Sequence, residues 1–136
     1  MKRLLRDVGI LWMLCTITWG VMQIRGGKNR RVELNRGEMY YSPRVSFAAA
    51  QDLSTYMVRA GAFSGRPTTM MLDRDDGIYQ LKMVVIPELL DLPGARRQAE
   101  QFGRRVCQEF FNGKSAAVHL ANDQLQSFEL LVPATQ

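Results

Sequence analysis

His119 is the only histidine in the chain, and it lies in a run, residues 115–120, whose apolar alternation is typical of a strand. Val118 and Leu120 would share one face of that strand, and His119 would point to the other. A histidine acts as a general base when a Ser, Cys or carboxylate stands within reach, and none occurs at a motif spacing from this one. The sequence therefore favours an exposed residue of a sheet face over a catalytic base.

Three aspartates, Asp73, Asp75 and Asp76, precede Gly77 in a pattern that invites comparison with a calcium loop. That loop needs a glycine at its sixth position and a glutamate at its twelfth. Here Gly77 falls at the fifth position and Val84 at the twelfth. A hairpin turn explains the segment better, because Asp and Gly satisfy the backbone geometry of turns.

The remaining polar and sulfur-bearing residues favour structural roles. Cys107 follows Val106 in a helical pattern and is expected to be a small buried residue rather than a nucleophile or ligand. Four arginines at helical spacing surround Glu100, which predicts a solvated face with i,i+4 ion pairs rather than a phosphate site. These arginines are Arg96, Arg97, Arg104 and Arg105. Three tyrosines, Tyr40, Tyr41 and Tyr79, would gather if the first strand lies beside the first hairpin.

Two similar corners, Phe63-Ser64-Gly65-Arg66 and Phe111-Asn112-Gly113-Lys114, follow the two helical patterns. We interpret each as the place where a helix ends and the chain turns into a strand, with the glycine at positive φ and the aromatic ring folded over the core. The alternative is an anion site that uses the glycines for close backbone approach and Arg66 and Lys114 as counter-charges.

No catalytic, cofactor-binding or metal-binding residue follows from these patterns. The chain contains no Gly-rich phosphate loop, no metal-ligand spacing, no nucleophile elbow and no paired carboxylates at an obvious active-site turn. The two cysteines, Cys15 and Cys107, lie in different segments and form no disulfide framework, which is compatible with a reducing compartment.

The elements that would position these residues follow from hydrophobic periodicity. A first helix is predicted from an N-cap at Ser46 to a stop at Gly61, and a second from about Pro93. The apolar stripes of these helices are Ala49, Leu53, Met57 and Ala60, and Ala95, Ala99, Phe102, Val106 and Phe110. Each helix therefore needs a surface to cover.

Strands are predicted at 38–41, 68–72, 78–86, 115–120 and 126–132, with turns at 73–77 and 121–124. In the strand 78–86 the inward side chains are expected to be Tyr79, Leu81, Met83 and Val85, and in the strand 126–132 they are expected to be Phe128, Leu130 and Val132. The order β-αββ-αββ predicts an α+β fold, a two-layer sandwich with two helices on one face of a mainly antiparallel sheet. The segments 46–86 and 93–132 share this pattern, which indicates an internal duplication.

One core is expected to combine inward residues of both helices and both hairpins. Its predicted members are Leu53, Met57, Phe102, Val106, Tyr79, Leu81, Phe128 and Leu130.

Length and charge limit the organisation further. The 136 residues, 46% of them hydrophobic, fit one globular unit. The net charge of +5 is unevenly distributed, because residues 1–36 carry eight Lys/Arg and two acidic residues, whereas residues 37–136 carry ten and eleven. The folded part is therefore close to neutral, which disfavours nucleic acid as a partner.

Residues 8–24 are seventeen consecutive uncharged residues between the basic flank 1–7 and the basic, glycine-bearing segment 25–37. As a helix this run spans roughly 25 Å, close to the hydrocarbon thickness of about 30 Å. We expect a single-pass transmembrane anchor with 25–37 as a juxtamembrane tether, although a cleaved signal peptide and an interfacial or soluble helix are alternatives. Three basic residues before the run and four after it leave the side of the membrane undetermined.

Two function classes are compatible with these features of residues 1–37 and of the domain at 38–136. The first is a noncatalytic interaction module at the membrane surface, bound to the bilayer through residues 8–24, with a membrane-protein partner or self-association. The second is a small-ligand binder or enzyme whose site is assembled by the fold from polar residues such as His119, Arg104 and the Asp73–Asp76 turn. The first is favoured because no motif indicates chemistry.

Overall fold

Three β-hairpins joined by two helices make up residues 30–134, which are the residues that this computed structural model describes. The elements are β1 (Arg30–Leu34), β2 (Gly37–Tyr41), α1 (Phe47–Arg59), β3 (Thr68–Asp75), β4 (Ile78–Val84), α2 (Ala95–Glu109), β5 (Ala116–Ala121) and β6 (Ser127–Val132). A short 3-10 helix, Pro87–Asp91, precedes α2. The described order ββ-α-ββ-α-ββ contains one strand more than the sequence predicts.

The six strands form one mixed sheet in which the spatial order follows the chain order. Strands within each hairpin are antiparallel, whereas β2 and β3, and β4 and β5, are parallel. A parallel pair requires a crossover connection, and α1 and α2 supply the two crossovers. The protein is thus an α+β fold with a six-stranded mixed sheet and two helices.

Both helices pack on the same face of the sheet. Met39 is paired with Met70, and Leu81 with Val118, so these residues share one face. The same residues belong to one buried cluster that also contains the apolar stripes of both helices. From the helices this cluster takes Ala50, Leu53, Met57, Ala95, Ala99, Phe102 and Val106. The opposite face of the sheet carries no helix among the described residues.

The helix boundaries follow local signals. Ser46 is the N-cap of α1, and its hydroxyl accepts a hydrogen bond from the Ala49 backbone N–H at 3.1 Å, as predicted. Gly61 follows the helix at a φ of 86°. The predicted start of α2 near Pro93 is two residues early, because Gly94 is the N-cap and adopts a φ of 78°.

The β3–β4 hairpin turns more tightly than predicted. Asp76 and Gly77 alone form the turn, with φ values of 51° and 77°. A two-residue turn with positive φ at both positions matches the twist of the adjoining strands. Strand β3 therefore continues to Asp75, and Asp73 lies within the strand rather than in the predicted turn 73–77.

Strand β1 occupies residues 30–34 of the segment 25–37 that the sequence predicts as a tether. It is antiparallel to β2, and only Val32, opposite Met39, packs against the core. The Asn35 side chain in the following turn donates a hydrogen bond to the Phe63 carbonyl at 2.8 Å, which ties this hairpin to the end of α1. The sheet therefore includes residues that precede the predicted domain start at residue 38.

The last strand departs from its predicted face. Register shifts between Val118 and His119, and between Leu120 and Ala121, interrupt the pairing of β5 with β6. Each shift changes which side chains of β6 point inward, so Phe128 and Leu130 are 42% and 53% exposed, and Leu131 is buried beside the correctly predicted Val132. The other six predicted core residues lie in or against the core.

Several predictions remain untested. Residues 1–7, 8–24 and 25–29 lie outside the described residues. Among residues 30–134, neither helix combines the length and the apolar character that crossing a bilayer requires. The segments 46–86 and 93–132 each contain a helix followed by a hairpin, and their origin by duplication stays a prediction.

Candidate functional site

The helix-free face of the sheet gathers polar side chains from several strands. Glu38 is paired with Thr69, and Lys82 with His119, so alternate residues of the strands point to this face. Its polar members include Glu38, Tyr40, Asp73, Gln80, Lys82, His119 and Ser127. The β5–β6 turn folds over part of it, because Leu125 packs against Tyr40 and Met71 and its carbonyl accepts a hydrogen bond from Lys82 Nζ at 3.1 Å.

His119 lies in a three-residue array on this face. Its Nε2 is 2.5 Å from Gln80 Oε1, and its Nδ1 is 2.9 Å from Ser127 Oγ. Burial, helped by the positive charge of Lys82, lowers the pKa of His119 below its ordinary value. The imidazole is thus neutral at pH 7; the amide oxygen accepts from Nε2–H, and Nδ1 accepts from the Ser127 hydroxyl.

This array is the arrangement that the sequence did not reveal. A hydroxyl beside a base that a third group orients is the general pattern of an activated nucleophile. The three residues come from β4, β5 and β6, and only the strand register brings them together. A search for short motifs cannot find them, because 39 residues separate Gln80 from His119.

Asp73 holds the end of β2 against β3 rather than forming part of a metal site. Its carboxylate accepts hydrogen bonds from Ser42 Oγ at 2.5 Å, Arg44 Nη2 at 2.9 Å and the Arg74 backbone N–H at 2.7 Å. Burial alone would raise the pKa of Asp73, but these hydrogen bonds and the Arg44 charge outweigh it and lower the pKa. Within residues 30–134 no group of three or more His, Cys, Asp or Glu could hold a metal ion.

The arginines of α2 are distributed over the helix surface. Arg104 pairs with Glu100 one turn earlier at 2.8 Å, as the spacing predicts, and Arg96 pairs with Glu129 of β6. Arg105 instead lines an open cleft of about 540 Å³ between the C-terminal ends of the two helices. There the Tyr56 hydroxyl donates to Glu109 at 2.6 Å, and burial followed by this hydrogen bond raises the pKa of Tyr56.

A second open cleft, of about 410 Å³, lies beside the β1–β2 hairpin. Four of its lining residues are Arg31, Glu33, Arg36 and Glu38. Arg31 forms ion pairs with Glu33 at 2.8 Å and with Glu38 at 2.9 Å. The charges in this cleft are therefore largely balanced, and no cation or anion class is favoured there.

Cys107 and the tyrosines have local packing roles. Cys107 is half-buried against the core, and burial raises the pKa of its thiol, so a reactive thiolate is disfavoured. The predicted cluster of Tyr40, Tyr41 and Tyr79 does not form. Tyr40 and Tyr41 are consecutive in β2 and point to opposite faces, while the Tyr79 ring packs 5.3 Å from that of Phe111.

The two aromatic-glycine corners have the predicted conformation. Gly65 and Gly113 adopt φ values of 99° and 79°, and the rings of Phe63 and Phe111 are buried in the core. An added Cβ at either glycine would meet no atom within 4 Å, so backbone conformation is the reason for glycine there. Neither feature indicates an anion ligand.

Strand β6 forms one edge of the sheet and exposes apolar side chains. No strand of the described region pairs with its outer side. Phe128 and Leu130 are exposed on it, and Glu129 is the only charged residue among its six. An edge strand presents unpaired backbone N–H and C=O groups, and apolar residues make such an edge a ready surface for another strand.

Comparison of the chain with protein-family models, with curated proteins and with solved structures gives no match.

Proposed function

We propose that this chain is a single-pass membrane protein that presents a small noncatalytic interaction domain at the membrane surface. The observation that carries the proposal is the apolar edge strand β6, whose Phe128 and Leu130 are exposed to solvent. Soluble domains usually protect such an edge with charges, proline, β-bulges or a covering element. Two register shifts interrupt the pairing of β6 with β5, but the strand still leaves two large apolar side chains exposed. An edge left apolar is typical of a surface that another protein covers.

The sequence supports the membrane part of the proposal. Residues 8–24 contain no charged side chain, and Lys or Arg residues flank them on both sides. The folded part carries little net charge, so the basicity of the chain belongs to the segment that would contact lipid headgroups. Anchoring would raise the local concentration of the domain near partners in the same membrane.

The surface geometry supports binding through an edge rather than through a pocket. The clefts beside the β1–β2 hairpin and between the helix ends are open and lined by polar residues. Small-molecule sites are usually concave and mainly apolar, with a few convergent polar groups. The exposed apolar side chains of β6 lie outside both clefts.

Site-specific photo-crosslinking in native membranes tests the proposal. A photoreactive amino acid replaces Phe128 in the full chain, and the matched control replaces Leu92, which is 44% exposed against 42% for Phe128. We expect a discrete protein adduct from position 128 and none from position 92. Absence of an adduct at 128, or equal adducts at both positions, would contradict an interaction through β6.

A second candidate, a ligand-binding site or enzyme on the helix-free face, is favoured by the Ser127–His119–Gln80 array. A neutral imidazole that accepts from Ser127 Oγ at 2.9 Å could activate this hydroxyl toward an electrophile. A fluorophosphonate probe tests this, with Ser127→Ala as the control. Labelling of the wild-type chain and not of the variant would support this candidate, and equal absence of label would exclude an activated serine.

A further inference from the structure

The first residue of α1, Phe47, exposes an aromatic ring at the end of the sheet where the chain enters it. Phe47 is 54% exposed, the highest value for a large apolar residue within residues 30–134. Its ring lies 6.4 Å from that of Tyr41, and Tyr41 is paired with Arg30, the first residue of β1. Because paired residues share a face of the sheet, Arg30 and Phe47 lie near each other, directly after the segment 25–29.

The charge around the start of β1 and of α1 is basic. Arg30 is exposed and takes part in none of the ion pairs formed within residues 30–134. The first turn of α1 carries no acidic residue. At the same end of the sheet, Asp73 and Asp75 are paired with Arg44 at 2.9 and 3.6 Å, and Asp76 lies in a turn two strands away from β1. An anionic surface that approached Arg30 would therefore meet little repulsion.

The length of the intervening chain limits how far this end can lie from the apolar run 8–24. Six residue steps lead from Ile24 to Arg30, and they reach at most roughly 22 Å. Arg25 and Lys28 lie within that segment, where basic side chains favour contact with anionic headgroups. The other end of the sheet is about 20 Å farther away, because α1 runs away from Arg30 over 13 residues. With residues 8–24 in a bilayer, the end that carries Phe47 is the one held beside the lipid.

We propose that this end of the domain docks on the membrane surface, with the Phe47 ring in the headgroup region and the Arg30 guanidinium on the phosphate of an anionic lipid. The inference rests on the proposed anchoring through residues 8–24 and adds how the domain is oriented. Lipid-bound surfaces combine apolar side chains that enter the interface with Lys or Arg that bind anionic headgroups. Phe128 stays clear of the lipid in this orientation, because the adjacent Ser127 is paired with Ala121 at the far end of β5.

Charge disfavours the opposite orientation, in which the far end of the sheet would face the lipid. Two apolar residues are exposed there around the 3-10 helix, Ile86 at 38% and Leu92 at 44%. Between them lie two exposed acidic residues, Glu88 and Asp91. Carboxylates at this position would be repelled by anionic headgroups, so exposed apolar residues at the far end lack the basic neighbours that Phe47 has.

Tryptophan fluorescence of the full chain in lipid nanodiscs tests the inference. Both native tryptophans, Trp12 and Trp19, lie in residues 8–24, and replacing them with phenylalanine leaves a chain without tryptophan. Phe47→Trp in this background then reports on one position, and Leu92→Trp is the matched control at the far end. In discs whose acyl chains carry bromine, fluorescence from position 47 should fall about twofold or more, because a side chain at the interface approaches the brominated chains. Fluorescence from position 92 should be unchanged.

A charge reversal tests the part of Arg30 in the same assay. Arg30→Glu in the Phe47→Trp chain should remove roughly half or more of the quenching in discs that contain anionic lipid. Arg97→Glu, at an exposed position of α2, is the control and should leave the quenching unchanged. The melting temperatures of all variants in the discs show that the fold is retained.

The possible failures are distinguishable. Absence of the chain from the disc fraction would overturn the anchoring and this inference with it. A disc-bound chain in which position 47 is quenched no more than position 92 would overturn the docking and leave the anchoring intact. Quenching at position 47 that Arg30→Glu does not reduce would overturn the contact between Arg30 and the lipid phosphate.

Discussion

Replacing Gly37 with alanine tests the closest contact between the sheet and the aromatic corner after α1. A Cβ at this position would lie 2.2 Å from Phe63 Cγ and 2.4 Å from both Cδ atoms. Such distances are far below van der Waals contact, and the Phe63 ring is fully buried. Gly37 lies in β2 and does not have a positive φ, so alanine can adopt its backbone conformation. The change in stability therefore reports the steric clash with Phe63 and not backbone strain.

The expected cost follows from opposing effects. Overpacking a well-packed core costs about 1–3 kcal/mol, and the fully buried ring places this site toward the upper end. Alanine also lowers the conformational entropy of the unfolded chain, and this effect stabilises the folded state by about 0.4–1 kcal/mol. Gly37→Ala should therefore lower the free energy of unfolding by about 1–2.5 kcal/mol.

Gly103 in α2 provides a matched control. Its added Cβ would lie 3.0 Å from Val132 Cγ2 and 3.3 Å from Val118 Cγ1, a much milder contact. Alanine also has a higher helix propensity than glycine by about 1 kcal/mol, which offsets that contact. Gly103→Ala should change the free energy of unfolding by less than about 1 kcal/mol.

Thermal unfolding of the full chain in mild detergent, followed by circular dichroism, measures both variants. For a domain of this size 1 kcal/mol corresponds to roughly 4–8 °C, so Gly37→Ala should melt about 4–20 °C below the parent. In a Phe63→Leu background the same change should cost less, because the clashing ring is gone. An unchanged melting temperature for Gly37→Ala, or an equal loss in both backgrounds, would refute the contact.

Four further outcomes are expected. Phe102→Ala should lower the free energy of unfolding by about 3–5 kcal/mol in chemical denaturation, because its side chain is buried in the core; a loss below about 1 kcal/mol would contradict this. Gly65→Ala and Gly113→Ala should each cost about 1–2 kcal/mol by the same measurement, since both glycines have positive φ and open space around them. The lowered pKa of His119 means that the unfolded chain binds a proton that the folded chain does not, so stability should fall as pH drops below about 6.5 and level off below the folded-state pKa; His119→Gln should remove this component from pH-dependent denaturation. Carbonate extraction should leave the full chain in the membrane pellet because residues 8–24 are uncharged, and recovery in the supernatant would rule out the anchor.

The helices could be predicted because their signals are local. Ser46 caps α1 through a side chain only three residues from its donor, and the apolar spacing of both helices reflects one buried stripe. The Asp76-Gly77 turn is likewise encoded by two residues with positive φ. The parallel pairing of β2 with β3 has no such local signal, because it depends on how α1 packs against the sheet.

The two edge strands were the least predictable elements, for opposite reasons. In β1 only Val32 packs against the core, so the strand has no alternation that a sequence can show. In β6 the alternation is present but two register shifts interrupt its pairing with β5, and the face that it predicts is wrong for Phe128 and Leu130. The geometry of strand pairing, rather than intrinsic strand propensity, determines where β1 forms and which side chains of β6 are buried.

The candidate site could be predicted only in part. The alternation around His119 correctly indicates a sheet face, but its contacts with Gln80 and Ser127 depend on register across three strands. The apolar edge was missed because the sequence assigns Phe128 and Leu130 to the core. The two residues that the sequence wrongly assigns to the core, Phe128 and Leu130, are therefore the ones that form the proposed interaction surface.

Amide hydrogen exchange of β6 in the full chain tests most directly whether this edge is occupied. Residues 127–132 should exchange more slowly in the wild-type chain than in Leu130→Lys, because pairing protects outward-facing N–H groups. Residues 30–34 of the opposite edge should exchange equally in both proteins, which serves as the internal control. Equal exchange of 127–132 in the two proteins, under conditions where both are folded, would show that β6 is a free edge and would contradict the proposed interaction.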